Sequence, residues 1–167
     1  MNKSTNLPLD GIRILDFTQV MMGPSATQML ADFGADVIKI ENPRGGDLSR
    51  TAFGATDEAG LNNPVFCSLN RNKRSLALDL KDEANKDIVY ELIRDTDVVV
   101  SNFRAGVMDR IGFGYEKLRE INHKIICASG SGYGPKGPYA HKGGHNVRAQ
   151  ASSAVMWPRA ARSDAMS

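Results

Sequence analysis

Residues 10–47, DGIRILDFTQVMMGPSATQMLADFGADVIKIENPRGGD, constrain this chain more than any other stretch. A short apolar run over 11–17 ends near a carboxylate, Asp16, and leads into a polar loop. Gly23-Pro24-Ser25 then supplies a turn and a helix start, with Pro24 suited to a first helical turn, where its missing N–H costs nothing. Ala26, Met29, Leu30 and Phe33 follow at helical spacing, and Gly34 stands where a C-capping glycine ends a helix. Residues 36–41, DVIKIE, form the next strand. The segment is a βαβ unit, and in open parallel sheets ligands bind beyond the carboxyl ends of such strands.

The alternation continues. Strands are expected over 75–80, 97–101 and 124–129, with helices over 83–94 and 115–121. In the first of these helices Ile88, Val89, Leu92 and Ile93 make the apolar face. The implied fold class is α/β, a doubly wound, mostly parallel Rossmann-like sheet. Two segments break the rhythm, 42–64 and the Gly/Pro-rich 130–144. Residues 147–156 open another helix that Trp157-Pro158 interrupts, and 159–167 are a polar remnant. The domain reading is a disordered N-terminus over 1–8, a Rossmann-like part over 9–157, and a truncated or disordered tail over 158–167. The large domain is accordingly expected to be incomplete.

Net charge is +2 over 167 residues, too small to argue for nucleic acid or an anionic membrane. No apolar run approaches the roughly 20 residues of a membrane span, and the polar N-terminus has no apolar signal core. Cys67 and Cys127 lack CxxC spacing and lie in or near apolar runs, so they read as buried free thiols in a reducing compartment, the cytoplasm by default. His123, His141 and His145 form no metal-ligand spacing, and no metal is expected.

Several polar groups are expected along the carboxyl edge of the sheet. After the first strand come Gln19, Val20 and Met21; before the third, Asn72, Lys73 and Arg74; after the fourth, Asn102, Phe103 and, further on, Arg110. Cations among Gly-rich turns suit a phosphorylated ligand, since Arg offers a bidentate fork and Lys a point charge. The same charges would serve equally as solvated loop residues. A nicotinamide site is disfavoured, because the loop TQVMMG carries a single glycine where GxGxxG is needed.

In combination, PLDGIRILDFT…GP…TQMLADFGADVIKIE, NKRSLALDLK, NFRAG, GFGYEKLREIN and ASGSGYGPKGPY resemble the family III CoA-transferases, over about residues 7 to 157. That group includes formyl-CoA transferase, carnitine CoA-transferase and α-methylacyl-CoA racemase. The resemblance implies an acyl-CoA:carboxylate CoA-transferase in which an aspartate attacks the thioester and CoA returns to a small carboxylic acid. The racemase branch would instead use an acid/base pair; neither His141 nor His145 is assignable to it. A non-catalytic CoA-binding fragment is the other alternative.

The resemblance places Gln19, Val20 and Met21 beside the thioester and pantetheine, and Asn72, Lys73 and Arg74 beside the adenosine and its phosphates. Asn102 and Phe103 match the Asn-Phe pair of the CoA site, and Arg110 a phosphate contact. It also implies a homodimer of interlocked full-length chains. No catalytic residue is assigned: the family's aspartate would follow the helix at Gln150-Ala151-Ser152-Ser153-Ala154, beyond the end of the chain, and Asp164 is not given the role. His145-Asn146 stand where the family has Tyr-Asp, Ser101 where it has Glu, and Ala154 where Gly is usual.

Overall fold

Five parallel strands set the architecture of the structure, a computed structural model that describes residues 7–51 and 63–153. In chain order they are β1 (Arg13–Asp16), β2 (Asp36–Glu41), β3 (Lys73–Ala77), β4 (Val98–Ser101) and β5 (Ile126–Ser129). The spatial order is β3-β2-β1-β4-β5. Helices α1 (Met22–Asp32), α2 (Pro64–Asn70), α3 (Glu83–Arg94), α4 (Val107–Arg110) and α5 (Tyr115–Ile121) connect them.

Register follows from alternation. Ile14 lies between Val37 and Val98, and Leu15 between Ile38 and Val99. Successive side chains face opposite ways, so these two rows feed two separate cores. Leu15, Phe17, Ile38, Ile40 and Val99 pack with Val89 and Ile93 of α3, Leu118 of α5 and Phe113. Ile14 and Val37 pack with Ala31 of α1 and Ala35. Burying each of the Leu, Ile, Val and Phe side chains stabilises the fold by about 1.5–3 kcal/mol, and losing one face would strand a whole row.

The helix ends have local causes. At the end of α1, Gly34 takes φ +103° and its N–H donates to the Ala31 carbonyl, while Ala35 N–H reaches back to Leu30. That pair of bonds is a Schellman closure, which favours glycine at the left-handed position. Asp82 caps α3 by accepting from Ala84 N–H at 3.0 Å. Helix α2 was not anticipated; Asn63 caps it and Pro64 opens it, an Asn-Pro start visible in the sequence.

Three sequence expectations are corrected. The third strand lies at Lys73–Ala77 rather than 75–80, because Lys73 and Arg74 find carboxylate partners that hold the polar segment extended. Residues 78–80 leave the ladder after Leu78 N–H bonds the Glu41 carbonyl. Cys67 and Cys127 are both exposed and unbridged: β5 is an edge strand whose four residues are all exposed, and Cys67 sits on the outer side of α2. Ile88 lies at the exposed rim of α3, leaving Val89 and Ile93 as its buried anchors.

The chain divides into two compact units. The sheet and α1–α5 belong to the first, which runs to Phe103 and resumes over Val107–Gly130. The second joins Arg104–Gly106 to the segment from Ser131 onward. In it the backbones of Gly132 and Gly144 touch so closely that a Cβ on either would overlap the other. Tyr133 packs edge-on against Tyr139 at 5.7 Å, and Lys142 Nζ lies 4.0 Å over the Tyr139 ring. Helix α6 (Asn146–Ser152) occupies the start of the helix expected over 147–156. The rest of that helix, Trp157-Pro158, Asp164 and the 158–167 tail lie outside the described residues, as do 1–6 of the N-terminus. Leu7 and Pro8 enter a turn in which Asp10 accepts from Leu7 N–H. Among the described residues no helix is long and apolar enough to cross a membrane.

Candidate functional site

Strand order reverses between β1 and β4, since β2 and β3 extend the sheet one way and β4 and β5 the other. The chain leaving β1 and the chain leaving β4 therefore diverge over opposite faces, and the crevice between them is where open α/β sheets bind ligands. Residues 17–21 and 102–103 occupy this position.

The loop after β1 is held peptide by peptide. Lys39 Nζ donates to the Thr18 carbonyl at 2.6 Å. Asn102 takes both sides of Gln19: its Oδ1 accepts from Gln19 N–H at 2.9 Å and its Nδ2 donates to the Gln19 carbonyl at 2.7 Å. Asp47 Oδ1 accepts from Val20 N–H at 3.0 Å. These anchors come from β2, from the turn after it and from the end of β4, so three segments of the sheet converge on one loop. Val20 adopts φ +72°, a left-handed conformation rare for a β-branched residue. It costs about 1–2 kcal/mol, and hydrogen bonds worth about 1 kcal/mol each offset it. Gly23 completes the turn, because a Cβ there would overlap Thr18 Cβ.

Beneath the loop, the α1 face of the sheet changes from apolar to charged. Asp16 is fully buried and accepts from Thr18 N–H, from Thr27 Oγ1 at 2.6 Å and from Lys73 Nζ at 3.1 Å. The Lys73 side chain is only 2% exposed and its amine also donates to the Pro24 carbonyl and Asn70 Oδ1, both at 2.9 Å. Lys39 Nζ faces Asp47 Oδ2 at 2.8 Å as a buried ion pair without hydrogen-bond alignment. Glu41 receives both Arg50 Nε and Nη2 at 2.8 Å, Ser75 Oγ at 2.7 Å and Asp47 N–H at 2.9 Å. Three cations thus meet three carboxylates, and the cluster is neutral as a whole.

Protonation follows these contacts. Burial alone would raise Asp47, but Lys39 and the Ser49 and Val20 amides hold it below the usual carboxylate range. Burial likewise opposes Glu41, and Arg50, Ser75 and the Asp47 amide bring it down. Burial lowers the Lys73 ammonium, with Asp16 working against the shift.

The structure brings some sequence-identified residues together and leaves others apart. Gln19, Val20 and Asn102 share the clamp. Met21 is 51% exposed at the loop, and Phe103 lies partly buried against the core at the end of β4. Arg110 closes α4, is exposed and has no ion pair among the described residues. Asn72 and Arg74, expected with the carboxyl-edge loops, are tied to the other end of the sheet. Asn72, at φ +62°, donates to Asp32 at 2.6 Å, at the end of α1, and Arg74 pairs with Asp36, the first residue of β2, at 2.6 Å. Lys73 spans the strand beneath α1 to reach Asp16. Sequence reasoning gave no site role to Asp16, Lys39 or Asp47. A lysine inside VIKIE was a visible signal, because a cation on the apolar face of a buried strand needs a partner.

Helix α1 begins directly behind the clamp with no side-chain cap and no acidic residue in its first turn. Unsatisfied N–H groups at a helix start suit an anionic or carbonyl oxygen. The loop and the strand order together define a doubly wound, Rossmann-like parallel sheet without the dinucleotide glycine signature.

The sequence pattern of CoA-transferase family III matches residues 9–165, and the chain belongs to that family. It is 52% identical over 131 residues to a formyl-CoA:oxalate CoA-transferase of Rhodopseudomonas palustris strain BisA53, a match covering 78% of this chain and 30% of that protein. It is 45% identical over 149 residues to an acetyl-CoA:oxalate CoA-transferase of Acetobacter aceti, covering 89% of this chain and 38% of that one. A crystal structure of a CAIB/BAIF family protein from Brucella suis superposes with TM-score 0.81 at 39% identity, covering 88% of this chain and 39% of the other. Rv3272 from Mycobacterium tuberculosis superposes with TM-score 0.78 at 38% identity, covering 87% and 39%. The chain thus spans about a third of the length of these relatives.

Proposed function

We propose that this chain forms the CoA-binding part of an acyl-CoA:carboxylate CoA-transferase. The observation that carries the reading is the clamped loop at the β1/β4 switch point of a family III fold. Gln19, Val20 and Met21 lie against the thioester and pantetheine arm, with Asn102 fixing the loop behind them. Phe103 offers an apolar ring, and Arg110, without a carboxylate partner among the described residues, meets phosphate. Asn72 and Arg74 reach the nucleotide end only by leaving Asp32 and Asp36, so their contribution is set by competition with those carboxylates. Lys73 acts from beneath, through Asp16.

The two named relatives transfer CoA to oxalate, which supports an acyl-CoA and a small carboxylic acid as substrates and favours transfer over racemisation. The aspartate nucleophile is supplied from outside residues 1–167, and none of this chain's own residues takes that role. A homodimer and a cytoplasmic location belong to the same reading for the intact enzyme.

Calorimetric titration of CoA into the monomeric, folded chain tests the proposal. Micromolar binding weakened by Arg110→Ala supports it; absence of binding by a folded protein overturns it. Incubation with formyl-CoA or acetyl-CoA and oxalate is expected to give negligible turnover, and robust turnover by the isolated chain would refute the assignment of the nucleophile elsewhere.

A further inference from the structure

We propose that Asp47, working with Lys39, is a positioning residue that holds the loop after β1 in its ligand-receiving shape. The inference rests on the CoA-binding reading of that loop. Neither residue reaches the crevice with its charge: Lys39 and Asp47 are 1% and 0% exposed. Their polar atoms instead act on the loop backbone, Lys39 on the Thr18 carbonyl and Asp47 on the Val20 amide. Between those two points lies Gln19, which Asn102 holds from the other side.

The turn is one a β-branched residue avoids when left to itself, since Val20 stands at φ +72°. Asp47 is itself fixed: its N–H donates to Glu41, and its Oδ1 also accepts from Ser49 N–H and Oγ, both at 2.8 Å. The carboxylate therefore cannot follow the loop if the loop moves. A buried ion pair needed only for stability could be replaced by apolar residues of similar volume with little loss. One needed for the loop could not, because the Thr18 carbonyl and Val20 N–H would lose their partners.

Two neutral double variants separate these roles. Lys39→Gln/Asp47→Asn keeps a donor for Thr18 and an acceptor for Val20, whereas Lys39→Met/Asp47→Leu keeps shape alone. We expect the first to bind CoA within about threefold of wild type and the second at least about tenfold more weakly, with both still melting cooperatively. Amide hydrogen exchange at Val20 is read in parallel without ligand, and should be at least about tenfold faster in the apolar variant. Equal CoA affinity of the two variants, or equal exchange at Val20, overturns the proposal. If wild type itself binds no CoA, the functional reading falls and the Val20 exchange alone decides the clamp. Should the apolar pair not fold, Asp47→Asn alone retains the acceptor: affinity near wild type despite a lowered melting temperature supports positioning, and affinity falling in step with stability overturns it.

Discussion

Asn102 bonds both backbone groups of one residue, accepting the Gln19 N–H at 2.9 Å and returning a hydrogen bond to the Gln19 carbonyl at 2.7 Å. The two residues sit at the ends of different strands, 83 positions apart in the chain, so this single amide ties the diverging halves of the sheet together at the crevice. Only a carboxamide supplies donor and acceptor in that geometry.

Asn102→Ala should therefore loosen the loop more than it destabilises the fold. Two hydrogen bonds of about 1 kcal/mol each correspond to a loss of roughly tenfold or more in CoA affinity. Asn102→Asp should do no better, because a carboxylate would face the Gln19 carbonyl. Calorimetry on both variants checks this, and an unchanged affinity in Asn102→Asp would remove the clamp from the account of binding.

Arg110→Ala should weaken CoA binding while leaving the melting temperature within a degree or two, since its guanidinium is exposed and makes no ion pair among the described residues. The loss should shrink as salt rises, because exposed charges are screened. Binding isotherms at low and high ionic strength give the comparison. A salt-independent loss would point to packing instead of phosphate contact.

Lys73 predicts the opposite pattern. Lys73→Ala leaves Asp16 buried without its cation and should cost about 3–5 kcal/mol, since breaking a buried pair from one side is strongly destabilising. Denaturant midpoints should show a large drop, and a shift below about 1 kcal/mol would mean that the ammonium contributes little.

Acid should unfold this protein through Asp47 and Glu41. Both carboxyls titrate below their ordinary values in the folded chain, so they bind protons more readily once unfolded. Their stabilisation is present in full above the unfolded carboxylate pKa, about 4, and is lost as pH falls through the lower folded values. Melting temperature against pH should be flat from about pH 5 to neutrality and decline below about pH 4. Asp47→Asn should flatten part of that decline.

Elements built from local pattern were legible in the sequence. The bounds of β2, α3 and α5 coincide with their expected ranges, because apolar spacing and turns at their ends fix them. The Schellman glycine after α1 was legible for the same reason. Elements set by distant partners were not: β3 begins where Lys73 and Arg74 meet Asp16 and Asp36, and no window around residue 73 contains those carboxylates. In the site, Gln19, Val20 and Asn102 were found, but as ligand contacts; that Asn102 spends its amide on Gln19 is a relation between strands. Lys39, a charge in an apolar strand, was a signal left unused, and its partner Asp47 lies past the turn after β2 and carries no local mark.

The charged half of the α1 face also protects strand register. A slip of β2 by one residue would exchange its two faces. Lys39 would then enter the apolar cluster of Leu15, Phe17 and Val99, while Ile40 would displace it opposite Asp47. An all-aliphatic strand such as VIVIV could tolerate that error at modest cost; this one turns it into an unpaired ammonium in oil. The same charges that shape the crevice thereby make misaligned pairing of the central strands self-rejecting during folding.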